Sequence, residues 1–94
     1  MFIVLLNYVQ PLDVVDGFVA EHRQFLEQHY ASGHFLVSGR KEPRTGGVII
    51  AQAASKSELE DIIEKDPFFQ NKIAEYQIIE FIPGMSNALL AGLI

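Results

Sequence analysis

The sequence predicts an α+β domain of the ferredoxin-like type, βαββαβ, with a four-stranded antiparallel sheet carrying two helices on one face. Three observations predict it. Four apolar, strand-like segments are separated in order by a helix, a turn-rich hairpin and a second helix. Right-handed crossovers in such a split βαβ order place both helices on the same side of the sheet. The 94 residues suffice for one modest core and not for two, so residues 1–94 are read as a single domain.

Each element has its own signal. Residues 2–9 are apolar at nearly every position, the pattern of a central strand covered on both faces, and Pro11 ends the run. From Asp13 to about Tyr30 the residues Val15, Phe18, Val19, Phe25, Leu26 and Tyr30 recur at helical spacing. One continuous helix is expected there, with Asp13 or Asp16 as N-cap and Ser32-Gly33 as the stop. Phe35–Ser38 reads as the second strand and Gly47–Ala51 as the third, joined by the turn-rich residues 39–46. Ser55-Lys56-Ser57-Glu58 is a capping box that opens a second helix through Leu59, Ile62 and Ile63, ending near Lys65 before Asp66-Pro67. Tyr76–Ile82 is the fourth strand, closed by Pro83-Gly84. The tail 84–94 is short and, from Ala88 onward, strongly apolar, which suits either a docked helical turn or a contact to another chain.

Composition narrows the possible partners. With 12 acidic against 7 basic residues the formal net charge is −5, and no long basic run exists to engage a phosphate backbone. Neither nucleic acid nor a membrane is an expected partner. The apolar opening Met1–Leu6 lacks a basic leader and stops at Asn7, too short for a signal peptide or a spanning helix, so a cytoplasmic protein is expected. Without cysteine there is no disulfide, thiol nucleophile or thiolate metal site. His22, His29 and His34 show no zinc-ligand spacing, so neither a metal nor a cofactor is predicted. The first and third strands are apolar on both alternations, more than a soluble monomer exposes. The chain is therefore expected to form a homodimer through its sheet faces, a dimeric α+β barrel, with assembly beyond two chains left open.

The candidate chemistry rests on His22 and Asp66. His22 lies on the apolar stripe of the first helix, between Phe18 and Phe25, where a leucine would serve packing equally well. Taken alone it reads as a buried histidine satisfied by one hydrogen bond. Asp66 before Pro67 is an ideal N-cap for a short turn through Phe68. In the split βαβ layout the early turns of the first helix lie beside the end of the second. One oxygen of Asp66 can thus cap while the other accepts an imidazole N–H. That pair would be a general acid/base dyad without a nucleophile. Asn7, Tyr8, Ser38, Gly39 and the start of the fourth strand near Tyr76 belong to the same end.

His22, the Gly33 turn, Ser38-Gly39, the Ser55-Lys56-Ser57-Glu58 helix start and the Asp66-Pro67-Phe68 triplet together resemble the YCII-related family, over about residues 1–83. The resemblance implies a dimeric ferredoxin-like α+β barrel with a pocket around His22 and Asp66. It also implies cofactor-independent proton chemistry, since a few relatives are dehydrochlorinases of chlorinated hydroxyquinols and the wider superfamily includes muconolactone isomerases. The substrate-binding candidates are Tyr8, Ser38, Gly39, Arg40 and Phe68. Arg40 stands where the family often has proline after the glycine matching Gly39. Arg40, Lys41 and Arg44 fall in the hairpin loop, either as solvated surface or as a guanidinium for a substrate carboxylate or phenolate.

Three functions are consistent with these residues. The first is an enzyme performing elimination, isomerisation or dehydrochlorination on a small, possibly aromatic, acid. The second is a non-catalytic small-anion-binding or regulatory module using the same pocket. In the third, His22 and Asp66 form a buried pair that only fixes helix packing.

Overall fold

The computed structural model describes residues 1–93. Its elements run β1 (Phe2–Tyr8), α1 (Leu12–Asp16), α2 (Val19–Ala31), β2 (Phe35–Arg40), β3 (Gly46–Ala51), α3 (Lys56–Ile63), α4 (Pro67–Gln70) and β4 (Ala74–Glu80), followed by a 3₁₀ turn (Ala88–Leu93). The strands form one antiparallel sheet in the order β2-β3-β1-β4. The predicted fold class is the observed one.

The period-two geometry of β1 sorts its side chains between two faces. Phe2, Val4 and Leu6 are buried in a core shared with Ile49 and Ala51 of β3, Phe25 of α2 and Leu59, Ile62 and Ile63 of α3. Ile3 and Leu5 point the other way, opposite Ile50 and Val48 across the β1–β3 ladder. These four are half-buried, whereas Val37 (57% exposed) and Ile79 (40%) stand open at the margins of the same face. No helix of the described residues is long and apolar enough to cross a membrane.

The expected single first helix is broken in two. Gly17 N–H donates to Val14 C=O (3.1 Å) and Phe18 N–H to Val15 C=O (2.9 Å), the tightened i to i−3 bonds of a helix that is ending. Neither part has a side-chain N-cap, so Asp13 and Asp16 do not play that role. The Asp16 carboxylate is instead held by Arg44, 2.5 Å away. The stop is as expected: Ser32 is the C-cap, and Gly33 follows at φ 84°, a left-handed conformation that glycine adopts without a Cβ clash.

Strand limits shift by about two residues, each time for a pairing reason. β2 continues through Gly39 and Arg40 because both find partners in β3, Val48 and Gly47. Arg40 therefore ends a strand and does not lie in the hairpin loop. At Gly46 the neighbouring β1 backbone comes so close that an added Cβ would sit 1.7 Å from Leu6 C=O, a contact only glycine permits. β4 ends at Glu80, which faces Phe2; Phe81 N–H donates to Met1 C=O (2.9 Å), leaving Ile82 92% exposed with no strand beside it.

The second predicted helix begins as expected, with Ser55 Oγ accepting from Glu58 N–H (3.1 Å), but the reciprocal half of the capping box is absent. Glu58 is drawn to His34, whose Nε2 lies 2.8 Å from its carboxylate. In the tail, Met85 (95% exposed) and Leu89 (91%) are not packed against the rest of the chain, so these residues do not form a docked turn; Ile94, the end of the expected tail, lies outside the described residues.

Candidate functional site

Asp66 is the one buried ionisable side chain among the described residues, with no exposed surface. A charge so placed is tolerable only if its oxygens are filled with donors. Oδ1 accepts from the Phe68 backbone N–H (3.0 Å), which makes Asp66 the N-cap of α4 with Pro67 at the first helical position. The same oxygen lies 2.8 Å from His22 Nδ1. Oδ2 accepts from the Tyr76 hydroxyl at 2.5 Å. Three elements, α2, α4 and β4, thereby meet on one carboxylate.

His22 is held from a second direction. Its imidazole stacks on the Phe68 ring with centroids 4.0 Å apart and planes 2° from parallel. With Asp66 accepting at Nδ1, the neutral ring carries its proton there, and Nε2 is the remaining acceptor. Nε2 has no hydrogen bond among the described residues and is not sealed from solvent. For Tyr76, burial, followed by the charge of Asp66 and the hydrogen bond to it, pushes the phenol well above its ordinary pKa, so it stays protonated and a donor.

Beside the pair lies a cleft of about 410 Å³, within the size range of small-molecule sites. His22 lines it, as do Tyr8, Ser38, Gly39, Arg40 and Phe68; Asp66 stands behind, reaching it only through His22. Leu6, Ile49 and Gly47 form its floor on the sheet, and Val19, Arg23 and Leu26 join His22 from α2 above. Ser38 Oγ is already engaged by the Tyr30 hydroxyl (2.5 Å).

The predicted basic triplet is divided among three tasks. Arg40 faces the cleft, Lys41 Nζ donates to Asn7 Oδ1 (2.6 Å), and Arg44 pairs with Asp16 while its guanidinium stands 6.0 Å from the Tyr8 ring centre. That hydrogen bond to Asp16 raises the Arg44 pKa further above its ordinary value.

Two contributors escaped the sequence reading. The sequence places Tyr76 at this end but gives it no role. Arg23 carries no motif, although it follows His22 directly and sits four residues after Val19 on the same helical stripe. A separate polar group surrounds His29, whose Nδ1 is buried without a hydrogen-bond partner. Burial, then the neighbouring His34 and Lys65, lower its pKa, against a smaller raising effect of Asp66. No group of three or more His or carboxylate side chains among the described residues is arranged to hold a metal.

The family model described as YCII-related domain matches residues 1–82, so the chain belongs to that family. Among solved structures the chain is similar to the 5-chloro-2-hydroxyhydroquinone dehydrochlorinase TftG from Burkholderia phenoliruptrix AC1100, determined in complex with 2,5-dihydroxybenzoquinone. The TM-score is 0.73 at 23% identity, over 89% of this chain and 96% of the other, a likeness that establishes the fold. No curated protein matches the chain at the same level of significance.

Two outcomes follow from this geometry. Tyr76→Phe removes a donor from a fully buried carboxylate and is expected to lower stability by about 1.5–3 kcal/mol in urea unfolding. His29 has a folded-state pKa below the 6.5 of the free side chain, so the unfolded chain binds the extra proton first as pH falls. The contribution of His29 to stability is then present above pH 6.5 and declines below it; a His29→Leu variant is expected to show a smaller decline between pH 6.5 and 5 in the same measurement.

Proposed function

We propose that this chain, as a member of the YCII-related family, is a cofactor-independent enzyme in which His22 moves a proton to or from a small molecule held in the cleft. The observation that carries the reading is the His22 Nδ1 to Asp66 Oδ1 contact of 2.8 Å at the wall of a cleft, with the other imidazole nitrogen open.

The division of labour follows from the geometry. Asp66 fixes the tautomer and stabilises the imidazolium that forms when Nε2 takes a proton. Tyr76 and the Phe68 N–H donate to that carboxylate and keep it aimed. Phe68 holds the ring plane. Elimination and isomerisation suit such a site because they need proton movement and no external electron acceptor. Loss of HCl, for example, sends a proton to the base and the bonding pair away with chloride. The related fold of the dehydrochlorinase lends this reaction class support.

The apolar open face, Ile3, Leu5, Val48 and Ile50 with Val37 and Ile79, supports a homodimer formed by stacking two sheets. Covering it would remove this apolar face from water.

Turnover is to be assayed by chloride release from 5-chloro-2-hydroxyhydroquinone and by proton exchange on related ring compounds. Wild type is expected to be active, with His22→Ala at least about 100-fold slower, the scale of a lost general base, while still folded. Equal rates for the two proteins would end the proton-transfer reading, and saturable binding without turnover would replace it by a binding module. Sedimentation at micromolar concentration is expected to show a dimer, which Ile50→Asp should dissociate; a wild-type monomer would refute the sheet-face interface.

A further inference from the structure

The charge of the cleft is opposite to that of the protein. The chain has a formal net charge of −5, yet no Asp or Glu lines the cleft. All three arginines of the chain, Arg23, Arg40 and Arg44, line it, whereas Lys41, Lys56, Lys65 and Lys72 lie elsewhere. Scattered solubilising charge would not divide in this way between two residue types. Arginine is the side chain whose planar fork meets a carboxylate with two parallel hydrogen bonds.

The three are not equivalent. Arg44 is paired with Asp16, so its charge is locally neutralised. Arg23 and Arg40 have no ion pair or side-chain hydrogen bond among the described residues. They approach from different elements, Arg23 from α2 and Arg40 from the end of the edge strand β2.

The sheet makes room for what they would hold. Arg40 pairs with Gly47, Gly47 with Leu6 and Leu6 with Tyr76, so these four residues form one row across the face that carries the helices. At Gly47 the row lacks a side chain, and the cleft floor opens between the Arg40 guanidinium and the apolar Leu6. His22 and Phe68 stand farther along the same cleft.

Resting on the reading of this cleft as the substrate site, we propose that its ligand is a planar carboxylic acid whose carboxylate is clamped by Arg23 and Arg40. Its ring or conjugated body lies over Gly47 and Leu6, and its reacting proton is presented to His22 Nε2. The charge end and the proton end of the ligand are thus read by separate residues, and a neutral ring of the same size leaves the guanidiniums unused.

The test compares binding of 2,5-dihydroxybenzoate with that of hydroquinone, the same ring without its carboxylate, by isothermal titration calorimetry at pH 7. Wild type is expected to bind the acid at least tenfold more tightly than hydroquinone. Arg23→Gln and Arg40→Gln should each weaken the acid about tenfold and leave hydroquinone unchanged, as loss of one charge-assisted fork requires. Arg40→Lys should recover only part of the loss, and Lys56→Ala, remote from the cleft, should bind the acid as wild type does. Equal affinity for the two rings, no binding of either at millimolar concentration, or acid binding that survives both Gln substitutions would overturn the proposal. Binding is read without turnover, so the two readings can fail separately. Acid binding that needs both arginines with no reaction on any substrate removes the proton-transfer role alone. Turnover of neutral rings with no preference for the acid removes the clamp alone.

Discussion

A carboxylate with no exposed surface is costly to bury unless donors fill its oxygens, and that requirement at Asp66 organises one end of this molecule. Its three partners come from α2, from the first turn of α4 and from β4. Helix capping and imidazole orientation are therefore not alternatives here. The Phe68 N–H that makes Asp66 a cap also satisfies the oxygen that faces His22, and the Phe68 side chain then supplies the surface on which the imidazole lies. An Asp-Pro-Phe triplet delivers a cap, a helix start and a stacking plane from three consecutive residues.

The cleft beside that carboxylate is a product of register. A one-residue slip in β3 would turn Ile49 out of the core and put Val48 where Gly47 leaves space. Register is held by Gly46, where β1 passes too close for any side chain, and by the alternation that sends Phe2, Val4 and Leu6 to one side. The break between α1 and α2 has a related effect. Asp16, released from capping, holds Arg44, while α2 starts afresh at Val19 and carries Val19, His22, Arg23 and Leu26 over the cleft.

The two faces of the sheet divide the chemistry. The helix-covered face holds the core and, at its end, the cleft lined by His22 and the arginines. The other face presents Ile3, Leu5, Val48 and Ile50 with two more exposed apolar neighbours, and a sheet so surfaced loses free energy in water at roughly 25 cal/mol for each Å² left exposed. The acidic exterior and the arginine-lined cleft form a second division, which concentrates the favourable potential for an anion at one opening.

The sequence by itself determined the order of elements, because hydrophobic periodicity and punctuation by Pro11, Gly33, Ser55 and Asp66-Pro67 are local properties of the chain. It also indicated His22 and Asp66, since each stands where its neighbours' chemistry makes it unusual: a polar residue on an apolar stripe and an acid before a helix-starting proline. Tertiary structure decided everything that depends on a partner distant in sequence. Asp16 forgoes its cap because Arg44 reaches it, Glu58 abandons half of its capping box for His34, and β2 and β4 take their limits from the residues that β3 and β1 set opposite them. The positions of Tyr76 and Arg23 belong to the same class: a donor or a cation gains its meaning from the group it faces, and only the folded chain brings Tyr76 to Asp66, ten residues away, and Arg23 of α2 to the cleft that Arg40 lines from β2.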